Sequence, residues 1–263
     1  MNIKNPVIIT ALFDIGRDKW EDYDQSYNTY MIWMTNLLYF DINMVIYAEE
    51  KFKDLIIEKR KQVDPNLEKT LILIDTLENL DSYKLFYDRT KKLMESEEFK
   101  KIIYFQVPEM KKPLYNILIF NKLYFIKNSI DNKHFDSDFY IWCDAGVLRD
   151  DIPIIRNEFP NLDKINNGFN DKITFFSHET SFNIGDRPNH LLSQYRYIHG
   201  GCFFVPNNKK IDILIEKFNF LVEYYLNYGF IGSEEKYLDF CFLDNIEDYN
   251  IVKSDWRQYF DIF

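Results

Sequence analysis

Asp138-Phe139-Tyr140-Ile141-Trp142-Cys143-Asp144-Ala145-Gly146 is an apolar run closed by one carboxylate between small residues. Residues 139 to 143 are too few for a helix and rich in aromatic and β-branched side chains, so they read as a buried strand. Asp144 then stands at the strand's C-terminal edge, where an open α/β sheet keeps its ligand crevice. A carboxylate at that edge either caps the following turn or holds a divalent cation against a diphosphate. In the second case Ala145 and Gly146 let phosphates come close to the backbone.

The flanking sequence supplies the rest of such a sheet. Residues 6–13, 43–47 and 70–74 are further strand-like runs. Tyr23, Tyr27, Tyr30, Met34 and Leu37 form a helical stripe over 20–38, and 51–61 reads as a short charged helix. A more polar helical region covers 82–101, and Pro113 opens a helix running to about 127. Beyond the Asp144 strand, 151–170 is loop-rich, 172–177 is strand-like, and 183–189 is a turn cluster that predicts a mobile lid. Residues 195–205 are strand-like around Gly200-Gly201, and 209–228 and 233–243 read as helices. Alternating strands and helices favour a mostly parallel sheet with helices on its faces, within one α/β domain over 1–263.

Composition limits the partners. The net charge of −10 argues against nucleic acid, whose backbone needs a basic surface, but leaves room for a nucleotide met by one or two cations. Aromatics at 18% either follow a compositional bias shared with abundant Asn, Ile and Lys, or offer surfaces that stack on sugar rings. Cys143, Cys202 and Cys241 lack CxxC spacing and read as buried, reduced thiols. His134, His178, His190 and His199 show no zinc-ligand spacing with them. With no signal-like segment and no membrane-spanning apolar run, a soluble, cytoplasmic protein is expected, in a bacterium or a virus-infected cell. Oligomeric state is not legible.

Two further segments carry chemistry. In Tyr197-Ile198-His199-Gly200-Gly201-Cys202-Phe203-Phe204, glycines inside an apolar strand mark either a bulge or the close approach of a ligand. His199 beside them is a core histidine, a hydrogen-bonding group for substrate, or a metal ligand. In Gly232-Ser233-Glu234-Glu235-Lys236, Ser233 fits a helix N-cap and the two acids fit the first turn. Alternatively, one acid points into a cleft as base, nucleophile or anchor for an acceptor hydroxyl. Neighbours on a helix diverge by about 100°, which argues against both doing so.

The order of these segments resembles the GT-A glycosyltransferases. Thr10-Ala11-Leu12-Phe13-Asp14-Ile15-Gly16-Arg17, Trp142-Cys143-Asp144-Ala145-Gly146 and His199-Gly200-Gly201-Cys202-Phe203 resemble, more narrowly, the bacterial HtrL/YibB-like group. The resemblance implies a GT-A fold and transfer of a hexose from a UDP-sugar to a hydroxyl of a glycan or other acceptor, assisted by Mn²⁺ or Mg²⁺. Ala11, Phe13, Asp14 and Arg17 would then receive the nucleotide, Asn121 and Lys122 would face the sugar-nucleotide, and Gly200 and Gly201 would line the donor sugar. Asp144 would anchor the metal, although Trp142 stands where the family's metal motif has its first acid. Asp255 is the second metal candidate, with His199 behind it, and Lys253 or Arg257 would meet the diphosphate. Glu234 or Glu235 would act at the reacting centre. Two other classes stay open, a metal-dependent hydrolase of nucleotide-diphosphate sugars and a non-catalytic sugar-nucleotide or glycan-binding module.

Overall fold

A computed structural model describes residues 6–21, 26–149, 159, 161, 163–165, 171–255 and 259–261. β1 (Val7–Leu12) is buried throughout, as a strand covered on both faces should be. A 3-10 turn (Arg17–Lys19) follows before α1 (Tyr27–Leu38). The helix starts later than its apolar stripe predicts because Ser26 caps it, its hydroxyl accepting from the Thr29 amide. Next come β2 (Asn43–Ala48), α2 (Lys53–Arg60), β3 (Thr70–Ile74), α3 (Asp81–Glu95) and α4 (Glu97–Ile102). The polar helical region divides at Ser96, whose hydroxyl caps α4 by accepting from the Phe99 amide.

α5 (Pro108–Lys111) leads into α6 (Pro113–Phe120) and α7 (Lys122–Asp131). The sequence predicts one continuous helix here, and it breaks at Asn121. β4 (Phe139–Cys143), β5 (Ile173–Ser177), α8 (Arg187–Leu192), β6 (Ile198–Pro206), α9 (Lys210–Asn227), α10 (Glu234–Asp244) and β7 (Tyr249–Lys253) complete the order. Most of the predicted loop at 151–170 lies outside the described residues. The turn at 183–189 is tied down: Tyr197 Oη accepts from the Asn183 amide and donates to its carbonyl, and Phe182 stacks on Tyr197.

The seven strands lie in the order β3-β2-β1-β4-β6-β5-β7. β1 is parallel to β2 and β4, β2 to β3, and β5 to β7, while β6 runs antiparallel to both neighbours. The protein is thus α/β, with a mostly parallel sheet flanked by helices. One core layer packs Ile9, Tyr140, Trp142 and Phe203 with Ile117, Phe120, Phe125, Phe218 and Tyr237 of the α6, α7, α9 and α10 helices. The opposite layer packs Ile8, Ile46, Ile141 and Phe204 against Met34 and Leu37 of α1 and against Tyr259. From β1 the chain passes to β2 on one side, while β4 joins on the other. The carboxyl ends of β1 and β4 therefore flank a topological switch point, where open sheets of this kind leave a crevice. Among the described residues no helix is long and apolar enough to cross a membrane, and all three cysteines are buried and free.

Candidate functional site

Side chains alternate along β4, so Tyr140 and Trp142 face the helical layer, and continuing the alternation carries Asp144 to the same side. There it meets the first residue of α7. The break before α7 is pinned by Asn121, whose Oδ1 accepts from the amide (3.1 Å) and the hydroxyl (3.0 Å) of Ser82. Beyond the break the Lys122 ammonium reaches Asp144 (2.9 Å to Oδ1, 3.1 Å to Oδ2), the Gly200 carbonyl (3.0 Å) and Glu234 Oε1. Trp142 Nε1 also donates to Asp144 Oδ1 at 2.7 Å. Lys122 is 4% exposed and Glu234 5%, so the pair is buried, whereas the Asp144 side chain keeps 37% of its surface open.

A bulge in β6 completes the cluster. Phe175 pairs with Phe203, but the next residue, Phe176, pairs with His199, so residues 200–202 have no counterpart on β5. On the other side the Gly201 carbonyl accepts from the Asp144 amide at 2.8 Å. The Gly200 amide donates to Glu235 Oε1 at 2.9 Å, and Arg196 pairs with Glu235 Oε2 at 3.1 Å. A Cβ on Gly200 would overlap Glu234 Oε1 and lie 3.0 Å from Glu235 Cγ. Glycine is required here by close approach, and the approaching groups are the two carboxylates. Both acids therefore touch one backbone segment, because a residue without a side chain passes between them, and neither is among the residues that line the cleft.

The crevice is a cleft of about 570 Å³ including its open mouth, lined by Ala11, Leu12 and Phe13 from the end of β1, Trp142, Asp144 and Ala145 from the end of β4, and Arg17, Tyr27, Tyr30, Tyr115, Leu118, Ile119 and Lys122. Arg17 is 8% exposed, with its guanidinium 4.1 Å from the Tyr30 ring centroid, 5.1 Å from Trp20 and 5.4 Å from Tyr115. Gly16, at φ 78°, turns the chain so that Arg17 enters the cleft.

Of the residues singled out in the sequence, Ala11, Phe13, Arg17, Lys122 and Asp144 share this cleft. Gly200, Gly201, Glu234 and Glu235 are not among its lining residues, but Gly200 and Glu234 touch Lys122, which is. Four others lie elsewhere. Asp14 accepts from the Gly16 amide at 2.9 Å and pairs with Lys51 at 2.5 Å, as a turn residue does. Asn121 is committed to Ser82 and fixes the helix break. Lys253 ends the edge strand β7, beside Ser177 and three strands from β4. Asp255 is exposed beyond β7, close enough for its charge to favour protonation of His199. Arg257 lies outside the described residues. Tyr27, Tyr30 and Tyr115 were missed: in the sequence the first two belong to a helical apolar stripe, which is how a core face reads.

Electrostatics separates the two glutamates. Burial raises Glu234, against the Lys122 charge that lowers it. Burial lowers Lys122, yet the charges of Asp144 and Glu234 outweigh it and hold the ammonium well above its ordinary range. Glu235 is pushed up to about 7, first by burial and then by Glu234, against Arg196 and the Gly200 amide. His199 is 5% exposed, and neither ring nitrogen has a hydrogen-bond partner among the described residues. Burial, then the neighbouring His178, lowers it to about 4, so the imidazole is neutral. Ser233 occupies the N-cap position of α10, but its buried hydroxyl makes no capping bond.

The residues do not fit a divalent cation. Asp144 is the one carboxylate among the described residues of the cleft wall, it lies 2.9 Å from the Lys122 ammonium, and the indole N–H of Trp142 is a donor that cannot ligate a metal. No group of three or more His, Cys, Asp or Glu side chains among the described residues is placed to hold a metal ion. The expected pairing of Asp144 with Asp255 thus finds no formed donor set.

Fold and site together define an α/β protein with a cationic, aromatic-walled cleft at the switch point of its sheet. The chain belongs to the HtrL/YibB family: the model of that family, described as "bacterial protein of unknown function", matches residues 4–263. No curated protein matches it. Among solved structures, the crystal structure of the glycosyltransferase GlyE of Streptococcus pneumoniae TIGR4 is similar over 95% of this chain and 45% of that one, with 10% identity and a TM-score of 0.46. This chain therefore spans a little under half the length of that protein.

Proposed function

We propose that this chain is a glycosyltransferase that moves a hexose from a UDP-sugar to a hydroxyl of a glycan or other acceptor. The observation that carries the reading is the cleft between β1 and β4, where Arg17 and Lys122 present two positive charges beside a single carboxylate and a wall of tyrosines. A nucleoside diphosphate matches that set, its base against Tyr27, Tyr30 and Phe13 and its phosphates toward the two cations. The sugar would extend past Asp144 toward the Gly200-Gly201 bulge.

In the reaction the acceptor oxygen bonds to the sugar's C1, the C1–O bond to the β-phosphate breaks, and its electron pair leaves with UDP. The acceptor proton needs a base. That base would be Glu235, whose carboxyl, raised to about 7, would have to be reached by the acceptor past Gly200 and Arg196, which now hold its two oxygens. Glu234, neutralised by Lys122, positions that ammonium instead.

Titration calorimetry of UDP and UDP-hexoses tests the donor reading. UDP is expected to bind, and Arg17→Met to weaken it by about tenfold, the loss of one charge-assisted contact. Absence of binding by any uridine nucleotide would rule the reading out.

A further inference from the structure

We infer that Lys122 is the resident cation of this cleft: its ammonium, held by Asp144, Glu234 and the Gly200 carbonyl, stands where a divalent ion would sit, and the donor binds and reacts without metal. The inference rests on the donor reading above and deepens it.

Three observations converge on Lys122. The first is its anchoring. An ammonium has three protons, and here three separate acceptors take them: Asp144, the Gly200 carbonyl and Glu234. A lysine this buried is tolerated only when paired, and its two carboxylates come from different elements, the end of β4 and the start of α10. The charge is therefore fixed in place rather than carried on a mobile surface chain. Fixed charge is the kind that stabilises a leaving group without reorganising during the reaction.

The second is the state of Asp144, the one carboxylate among the described residues of the cleft wall. Asp144 Oδ1 receives both the Trp142 indole and the ammonium, and Oδ2 lies 3.1 Å from the same nitrogen. A divalent ion at Asp144 would stand against the charge of the ammonium 2.9 Å from Oδ1, which Glu234 holds in place. Trp142 reinforces the arrangement by donating to Asp144 from the position two residues before it, where a second metal-binding acid would otherwise project.

The third is the charge of the cleft. Among the described residues its charged lining is Arg17, Lys122 and Asp144, and with Glu234 behind Lys122 two cations meet two carboxylates, so a diphosphate finds two fixed cations in a balanced cluster. As the C1–O bond breaks, the electron pair settles on a β-phosphate oxygen facing these two cations. Lys122 keeps its protons throughout, and the acceptor's proton goes to Glu235. Asn121 acts here as a positioning residue, because its hold on Ser82 sets the helix break that aims Lys122.

The test is a thermal-shift measurement on the full chain after dialysis against EDTA, with UDP added in EDTA, in Mn²⁺ and in Mg²⁺. A ligand that binds only the native state raises the melting temperature. UDP is expected to raise it equally in all three. A shift seen only with Mn²⁺ or Mg²⁺ would overturn the inference while leaving the donor reading intact, whereas no shift in any condition would remove both. Lys122→Met alone strands Glu234 and invites unfolding. The balanced variant Lys122→Met with Glu234→Gln removes both charges of the buried pair and keeps the site testable. Its UDP affinity in EDTA is expected to fall by about tenfold or more. A balanced variant that melts like wild type and binds UDP equally well would show that Lys122 is not the cation.

Discussion

Gly200 shows how much of the site depends on a missing side chain. Its carbonyl receives Lys122, its amide donates to Glu235, and a Cβ would overlap Glu234. Gly200→Ala is expected to cost about 1–3 kcal/mol by overpacking, read as a lower urea midpoint at unchanged slope. It should also displace Lys122 and weaken UDP binding. Glu235 carries the pH dependence. Its folded value of about 7 lies above the unfolded value near 4.5, so its contribution to stability is full below 4.5 and is lost as pH rises through 7. The groups facing it are Glu234, Arg196, Lys122 and the Gly200 amide, so the measurement compares variants rather than raw pH curves. Glu235→Gln should gain on wild type by on the order of 2–3 kcal/mol between pH 4.5 and 8 in urea unfolding. A difference that stays flat with pH would mean that folding does not raise the Glu235 carboxyl.

Among the elements, the polar group that staples the fold and those that build the site sit at opposite ends of the sheet. Arg60 is fully buried and donates to the carbonyls of Leu38, Phe40 and Ile42 and to the Thr70 hydroxyl, joining the end of α1 to the starts of β2 and β3. Arg60→Met strands those acceptors and is expected to cost on the order of 3–5 kcal/mol in urea unfolding. UDP affinity per folded molecule should not change, because the cleft opens at the other ends of these strands. What was legible in the sequence follows the same division. β1, β2 and β4 were readable as apolar runs because central strands are covered on both faces, and β3 because Leu71-Ile72-Leu73-Ile74 is apolar although it forms a half-buried edge. Asp144, Lys122 and the Gly200-Gly201 break were readable as chemistry misplaced in apolar segments. β7 was not, since Tyr249-Asn250-Ile251-Val252-Lys253 at a sheet edge mixes polar and apolar residues like a surface loop. The break at Asn121 was equally hidden, because the bond that pins it comes from Ser82, 39 residues earlier. For the same reason Asn121 looked like a cleft residue when it is a hinge pin behind one. Tyr27, Tyr30 and Tyr115 looked like core because a cleft wall and a core face share one periodicity.

For the whole molecule, topology places the chemistry. A chain with net charge −10 gathers Arg17 and Lys122 beside the carboxyl ends of β1 and β4, where the sheet turns from growth on one side of β1 to growth on the other. On the proposed function, a sugar leaves a nucleotide in this cleft for an acceptor other than water. This is tested most directly by following UDP-hexoses with ³¹P NMR, in EDTA, with and without a panel of glycan acceptors. The prediction is that UDP accumulates only when an acceptor is present and that the Lys122→Met, Glu234→Gln double variant releases far less. UDP accumulating at the same rate without any acceptor would make the protein a hydrolase. Binding without release under any condition would make it a sugar-nucleotide-binding module, and either result would contradict the transferase assignment.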